Sequence, residues 1–230
     1  MKKRTVVLGA SGMLLLGVGI GGSLAWLLDE TEQVTNTFTT SNIEIILDES
    51  ELQDDGTLDE NKRVQSNDDY KMVPGMVLPK DPAVTVKAGS EDCWLFIEVT
   101  ESGNVENYID YDIDPNNWFE LKDENNESIA GVYYCGEVTD IDADRSIKIL
   151  GYTDADDGFH PNEVLVKDTV TKEMMDALEK NSGDEPALTF KAYAAQLYKN
   201  NTEKFTALEA WRQVKPNQEA NGGETSEGTN

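Results

Sequence analysis

His160 is the only histidine in this chain, and Cys93 and Cys135 are its only cysteines. That scarcity narrows the chemistry at once. Zinc enzymes take three or four His, Cys or carboxylate ligands, with histidine prominent. The H-E-x-x-H metalloprotease motif needs two imidazoles on one helical face, and a single histidine cannot supply them. His160 precedes Pro161 and reads as a solvated loop residue. Local sequence assembles no Ser/His/Asp arrangement and no glycine-rich phosphate loop. The expectation is a protein that is not an enzyme.

Carboxylates are the other groups with possible chemistry. Asp110, Asp112 and Asp114 form one cluster, Asp140, Asp142 and Asp144 a second, and Asp154, Asp156 and Asp157 a third that ends in Gly158. Calcium takes six to eight oxygen ligands from such loops. None fits the EF-hand pattern. The sixth position of the first two is Pro115 or Arg145, and the third has its glycine one place early. At strand spacing, Asp110, Asp112 and Asp114 would share one solvated face. Asp154, Asp156 and Asp157 remain as weak calcium candidates, and no other cofactor is implied. The N-x-S/T triplets at Asn126 and Asn200 read as polar loops.

Overall charge sets the function classes. The chain has 230 residues with 45 Asp and Glu against 19 Lys and Arg, a net charge of -26. Nucleic-acid binding and charge-driven docking on anionic lipid both need clustered Lys and Arg, so both are excluded. The N-terminus reads as a secretory signal: basic Lys2-Lys3-Arg4, an uncharged run from Val6 to Leu28, then Ser23 and Ala25 as the small residues before a cut at Trp26. An uncleaved anchor is the alternative, since about 20 apolar residues span a bilayer. Six glycines in the run and the polar sequence after it favour cleavage. Loss of residues 1–25 removes three basic residues and no acid, which takes the net charge from -26 to -29. In an oxidising compartment Cys93 and Cys135 can pair and join two strands. Two free buried thiols are the alternative.

The elements that must position these groups are mostly strands. Strand candidates, mostly of period two with a few solid apolar runs, occur at 36–47, 83–87, 94–100, 108–113, 118–121, 131–138, 147–150, 164–166 and 188–197, where the alanines of the last also allow a helix. The 94–100 run is apolar on both faces and should be central. Residues 48–69 are acidic, lack an apolar period and read as a loop. Met174, Met175 and Leu178 give helical spacing within 171–180, and Thr206 with Glu209 forms a capping-box pattern ahead of Trp211. The spacing predicts an all-β sandwich with one or two short inserted helices.

Several short motifs carry a resemblance. Gly21 to Asp29, the run Asn36-Thr37-Phe38-Thr39, Ile43-Glu44-Ile45, Met72-Val73-Pro74-Gly75, the strand Ala192-Tyr193-Ala194-Ala195-Gln196 and Glu209-Ala210-Trp211 together resemble the TasA/camelysin-like family of SipW-dependent exported Gram-positive proteins. The resemblance implies a jelly-roll-type sandwich and a secreted subunit of biofilm matrix fibres or surface fibres. It implies a dedicated signal peptidase as one partner, and copies of the chain or related matrix subunits as others. Membrane contact is expected only before signal cleavage. The implied organisation is a signal peptide over 1–25, a free donor-strand segment over 26–36, a sandwich over 37–215 and a disordered acidic tail over 216–230. Trp26, Leu27, Leu28 and Val34 are the apolar anchors of the donor segment. A monomeric extracellular module binding protein, glycan or calcium is the other reading of the same sandwich.

Overall fold

The computed structural model describes residues 28–30, 42–67, 70–102, 104–180 and 186–215. The signal region, Trp26, Leu27, Val34 and the tail from 216 lie outside them. Among the described residues the chain is mostly strand, with two short α-helices.

The largest sheet runs β1 (Leu28–Glu30), β15 (Leu188–Gln196), β6 (Cys93–Glu101), β10 (Ser128–Val138) and β9 (Phe119–Lys122), in that order. A four-stranded sheet runs β11 (Arg145–Lys148), β5 (Ala83–Val86), β2 (Ile45–Leu52) and β3 (Leu58–Val64). Two three-stranded sheets complete the fold. One holds β13 (Gly158–Pro161), β12 (Leu150–Asp154) and β8 (Asp112–Ile113); the other holds β4 (Val77–Pro79), β14 (Glu163–Val166) and β7 (Ile109–Asp110). Strand numbers follow the chain, and the pairings are antiparallel.

The core explains why β6 is central. On one face Leu95 and Ile97 join Ala192 and Ala194 of β15, and pack with Val84, Val86 and Ile147. On the other, Trp94 and Phe96 join Tyr193 and Ala195 under helix α2 (Ala207–Val214). Cys93 to Ile97 are all buried. Burying each large apolar side chain contributes about 1.5–3 kcal/mol, so a run apolar on both faces is stable only between two covered faces.

Helix α2 starts where the sequence predicts. The Thr206 side chain accepts the Glu209 N–H, and the Glu209 carboxylate accepts the Thr206 N–H at 2.8 Å. Lys199 and that N–H hold the Glu209 carboxyl down at about 2. Trp211 then packs edge-on to Tyr193, with ring centroids 5.4 Å apart. Trp94 Nε1–H donates to the Phe205 carbonyl at 2.9 Å, fixing the approach to the helix. Thr206→Ala is expected to cost about 1 kcal/mol by leaving helix N–H groups uncapped. Urea unfolding monitored by Trp fluorescence measures it, and an unchanged midpoint would remove the cap from this account. The other helix, α1, spans Lys172–Lys180, close to expectation, with Met174 and Met175 against the core.

Over 48–64 the acidic stretch corrects the expected loop. It forms the second half of β2 and the whole of β3, paired as a hairpin; 65–67 are not strand and 68–69 lie outside the described residues. Here cross-strand charge pairs replace apolar alternation. Lys62 meets Glu51 at 2.7 Å, and Arg63 meets Asp48 at 2.8 Å. At the hairpin base Asp81 is buried and accepts the Ser50 N–H at 2.7 Å and the Ser50 hydroxyl at 2.9 Å. Its Oδ2 also meets Lys148 at 2.9 Å and Arg63 at 3.0 Å.

A second correction concerns Asp110, Asp112 and Asp114, which do not share one exposed face. The chain breaks at Tyr111, so Asp110 pairs with β14 and Asp112 with β12. Asp114 is buried and caps its own turn through the Asn116 N–H at 2.9 Å and the Asn117 amide at 2.6 Å. The extended period fails because the two ends of the segment join different sheets.

Candidate functional site

The N-terminal strand lies at the edge of the largest sheet. Leu28 is opposite Ala195, Asp29 opposite Ala194, and Glu30 opposite Tyr193. Of the predicted donor residues, Leu28 is therefore placed on a sheet edge by its backbone; Trp26, Leu27 and Val34 lie outside the described residues. Its partner strand is held firmly. β15 pairs with β6 in unbroken register from Leu188 to Gln196. Tyr193, Ala194 and Ala195 are buried, and the Tyr193 hydroxyl donates to Glu98 at 2.8 Å. Lys215 lies 4.7 Å from the Tyr193 ring centroid and 3.1 Å from Glu98. The strand that pairs with β1 is thus held along its other edge by β6.

Sequence reasoning singled out residues 26–36 as a pairing segment and did not name β15 as the strand that Leu28 to Glu30 pair with. The available signal was the run Ala192 to Ala195, small residues interrupted by one tyrosine. In the structure its alternate residues serve the two core clusters, Ala192 and Ala194 on one face and Tyr193 and Ala195 on the other.

The third carboxylate cluster forms the tip of the β12–β13 hairpin, where Gly158 takes φ 95°, a left-handed value that an L side chain resists. Asp154 Oδ1 accepts the Asp156 N–H at 2.7 Å, and Asp157 Oδ1 lies 2.8 Å from His160 Nε2. Asp154 and Asp157 therefore spend an oxygen on neighbours within the chain. Among the described residues no three His, Cys or acidic side chains converge as a metal site.

His160 corrects a further expectation. It lies in β13, not in a loop, and stacks on Tyr152 with ring centroids 4.8 Å apart. The Asp157 carboxylate beside it raises its pKa. The charged pair is complete below the imidazole's ordinary value of about 6.5 and is lost as pH rises through the raised value. A proton NMR titration is expected to place His160 above 6.5, and Asp157→Asn to bring it down. Identical titration curves for the two proteins would contradict the pairing.

Cys93 and Cys135 are buried on the neighbouring strands β6 and β10, and no bond joins them in the structure. Cys93 lies opposite Val138, and Cys135 sits in an irregularity between Tyr134 and Glu137. Burial raises the Cys93 thiol to about 12 and the Cys135 thiol to about 11. Both should be inert to a thiol reagent in the folded protein at pH 8, and two thiols should react in guanidinium. Finding none in guanidinium would mean that the bridge forms.

Comparison with protein-family models, with curated proteins and with solved structures found no match to this chain.

Proposed function

We propose that this chain is a secreted structural subunit, built as a jelly-roll-type sandwich, that assembles into extracellular fibres by N-terminal strand addition between copies. The observation that carries this reading is the pairing of β1 with β15. A strand of three residues is a weak edge. Ordering its backbone costs about 1–2 kcal/mol per residue, and each hydrogen bond returns a net of about 0.5–1.5 kcal/mol. These terms nearly cancel, so β1 can leave its own sheet at little cost. The vacated edge of β15 then offers backbone groups to the same segment of another copy, which is β-augmentation. Extension of the pairing beyond three residues, with the apolar residues Trp26, Leu27 and Val34 adding contacts, would favour the open assembly over the closed subunit.

The reading agrees with the secretory pattern of residues 1–25 and with the motif resemblance. Metal or catalytic chemistry has no part in it. Negative-stain microscopy of protein beginning at Trp26 tests it. Fibres at high concentration are the expected result, and persistent monomers would contradict it.

Charge gives a further prediction. With a net of -29 after signal removal, each subunit repels the next. Assembly should therefore start at lower protein concentration in about 0.5 M NaCl than in 0.01 M, because the Debye length shrinks from about 30 Å to under 10 Å. Light scattering reads the threshold, and equal thresholds would break the link between charge and assembly.

A further inference from the structure

The largest sheet has two edges, and β1 occupies one of them. β9 forms the other and pairs on one side only, with β10. Phe119, Glu120 and Lys122 of β9 are exposed, while Leu121 is buried. Leu121 belongs to the core cluster under helix α2, and Phe119 lies on that face with its ring centroid 5.7 Å from that of Tyr134. Glu120 and Lys122 project from the opposite face, because strand side chains alternate. Phe119 keeps 49% of its surface exposed. Glu120 accepts the Ser128 hydroxyl at 2.6 Å, and Lys122 makes no ion pair among the described residues. β11, an edge of the four-stranded sheet, is capped from outside: Trp118 Nε1–H donates to the Lys148 carbonyl at 2.8 Å. Among the described residues no such bond caps β9.

An unpaired edge is a template for another strand, and a lone lysine on it normally blocks that pairing. Here the lysine has its complement two residues away, on the same face of the same strand. Directly opposed residues of an antiparallel pair share a face, so a two-fold pair of β9 strands puts one residue on its axis. With Glu120 or Lys122 on the axis, like charges face each other. With Leu121 on the axis, Glu120 of each strand faces Lys122 of the other, and two opposite-charge pairs form. Phe119 then lies diagonal to Leu121 of the second copy, which covers part of its exposed ring.

We propose that β9 is a homotypic interaction edge: two copies of this chain pair through antiparallel β9 strands centred on Leu121, with Glu120 against Lys122 across the interface. The contact uses the end of the strand order opposite β1, so it joins subunits side by side without competing for β15. A pair of four-residue strands is a weak contact alone. Repeated along a fibre it would gain from effective concentration and hold fibres laterally. The pairing itself is a property of the free subunit, so it stands or falls separately from strand addition at β15.

Sedimentation equilibrium of the mature chain, in about 0.15 M NaCl and at concentrations up to the fibre threshold, tests it. A reversible monomer–dimer equilibrium is expected. Glu120→Lys and Lys122→Glu should each weaken the dimer about tenfold, because two attractive pairs become two repulsive ones. Mixed in equal amounts, the two variants should form a heterodimer as tight as the wild-type dimer, since every lysine then faces a glutamate again. The double variant Glu120→Lys with Lys122→Glu should dimerise like the wild type for the same reason. A wild-type chain that stays monomeric throughout would overturn the proposal. So would single variants that dimerise like the wild type, or a mixture and a double variant that show no recovery.

Discussion

Asp81→Ala is expected to destabilise the fold by about 2–3 kcal/mol, mainly by leaving the buried Ser50 N–H without its acceptor, since Arg63 and Lys148 keep about a third of their side-chain surface in water. Asp81 is buried, and four groups converge on its carboxylate: the Ser50 N–H, the Ser50 hydroxyl, Arg63 and Lys148. The substitution would leave the Ser50 N–H without its acceptor and two cations facing each other. It would also loosen the base of the β2–β3 hairpin. The pKa of Asp81 gives the pH dependence. Burial pushes it up, but Lys148 and the Ser50 hydrogen bonds outweigh burial, and the folded value is lowered. A lowered carboxyl contributes stability above its unfolded pKa of about 3.9 and loses it as pH falls through the folded value. Asp81→Asn should therefore flatten the acid limb of the stability curve below about pH 4. Urea midpoints at pH 7 and pH 3 measure both effects. A change under 1 kcal/mol in Asp81→Ala would show that the network contributes little.

Removing residues 26–36 from the mature chain is expected to abolish fibre formation and leave a folded monomer. The sheet below β1 does not depend on it, since β15 is paired to β6 along nine residues and is buried from Ala192 to Ala195. Thermal melting should therefore shift by only a few degrees, in keeping with the near-cancelling energetics of a three-residue strand. A peptide covering 26–36, added in excess to the truncated protein, should bind the vacated edge. The same peptide added to the intact protein should compete with assembly. Fibres from the truncated chain at the wild-type threshold would mean that another surface drives assembly.

How far the sequence reached can be argued from particular elements. The central strand was legible because Trp94 to Ile97 must be covered on both sides, and β6 is. The second helix was legible because Thr206 and Glu209 cap each other through local geometry, which needs no tertiary knowledge. The hairpin at 48–64 was hidden because its stabilising pairs join residues far apart in the chain. Asp81 holds Ser50, Arg63 and Lys148, and no apolar period announces them. The break at Tyr111 was hidden for a related reason: local alternation cannot tell that two dipeptides belong to different sheets. Within the candidate site, the N-terminal segment stood out by its motif. Its partner strand did not, because pairing of Leu28 with Ala195 is a long-range fact. Likewise the export pattern suggested a bridge through its oxidising compartment, while the irregularity that holds Cys135 follows only from the β6–β10 ladder.

The most direct measurement of strand addition is a cross-link at its register. Asp29 and Ala194 lie opposite each other across β1 and β15. Residues directly opposite in an antiparallel pair have Cβ atoms about 4.5–5.5 Å apart, within a small shift of disulfide geometry. The double variant Asp29→Cys and Ala194→Cys should be oxidised before and after assembly and run on a non-reducing gel. The account predicts an internally bridged monomer below the assembly concentration and a covalent ladder of dimers, trimers and higher species from fibres. Fibres that yield only internally bridged monomer would contradict it, because each β1 would then have stayed in its own sheet.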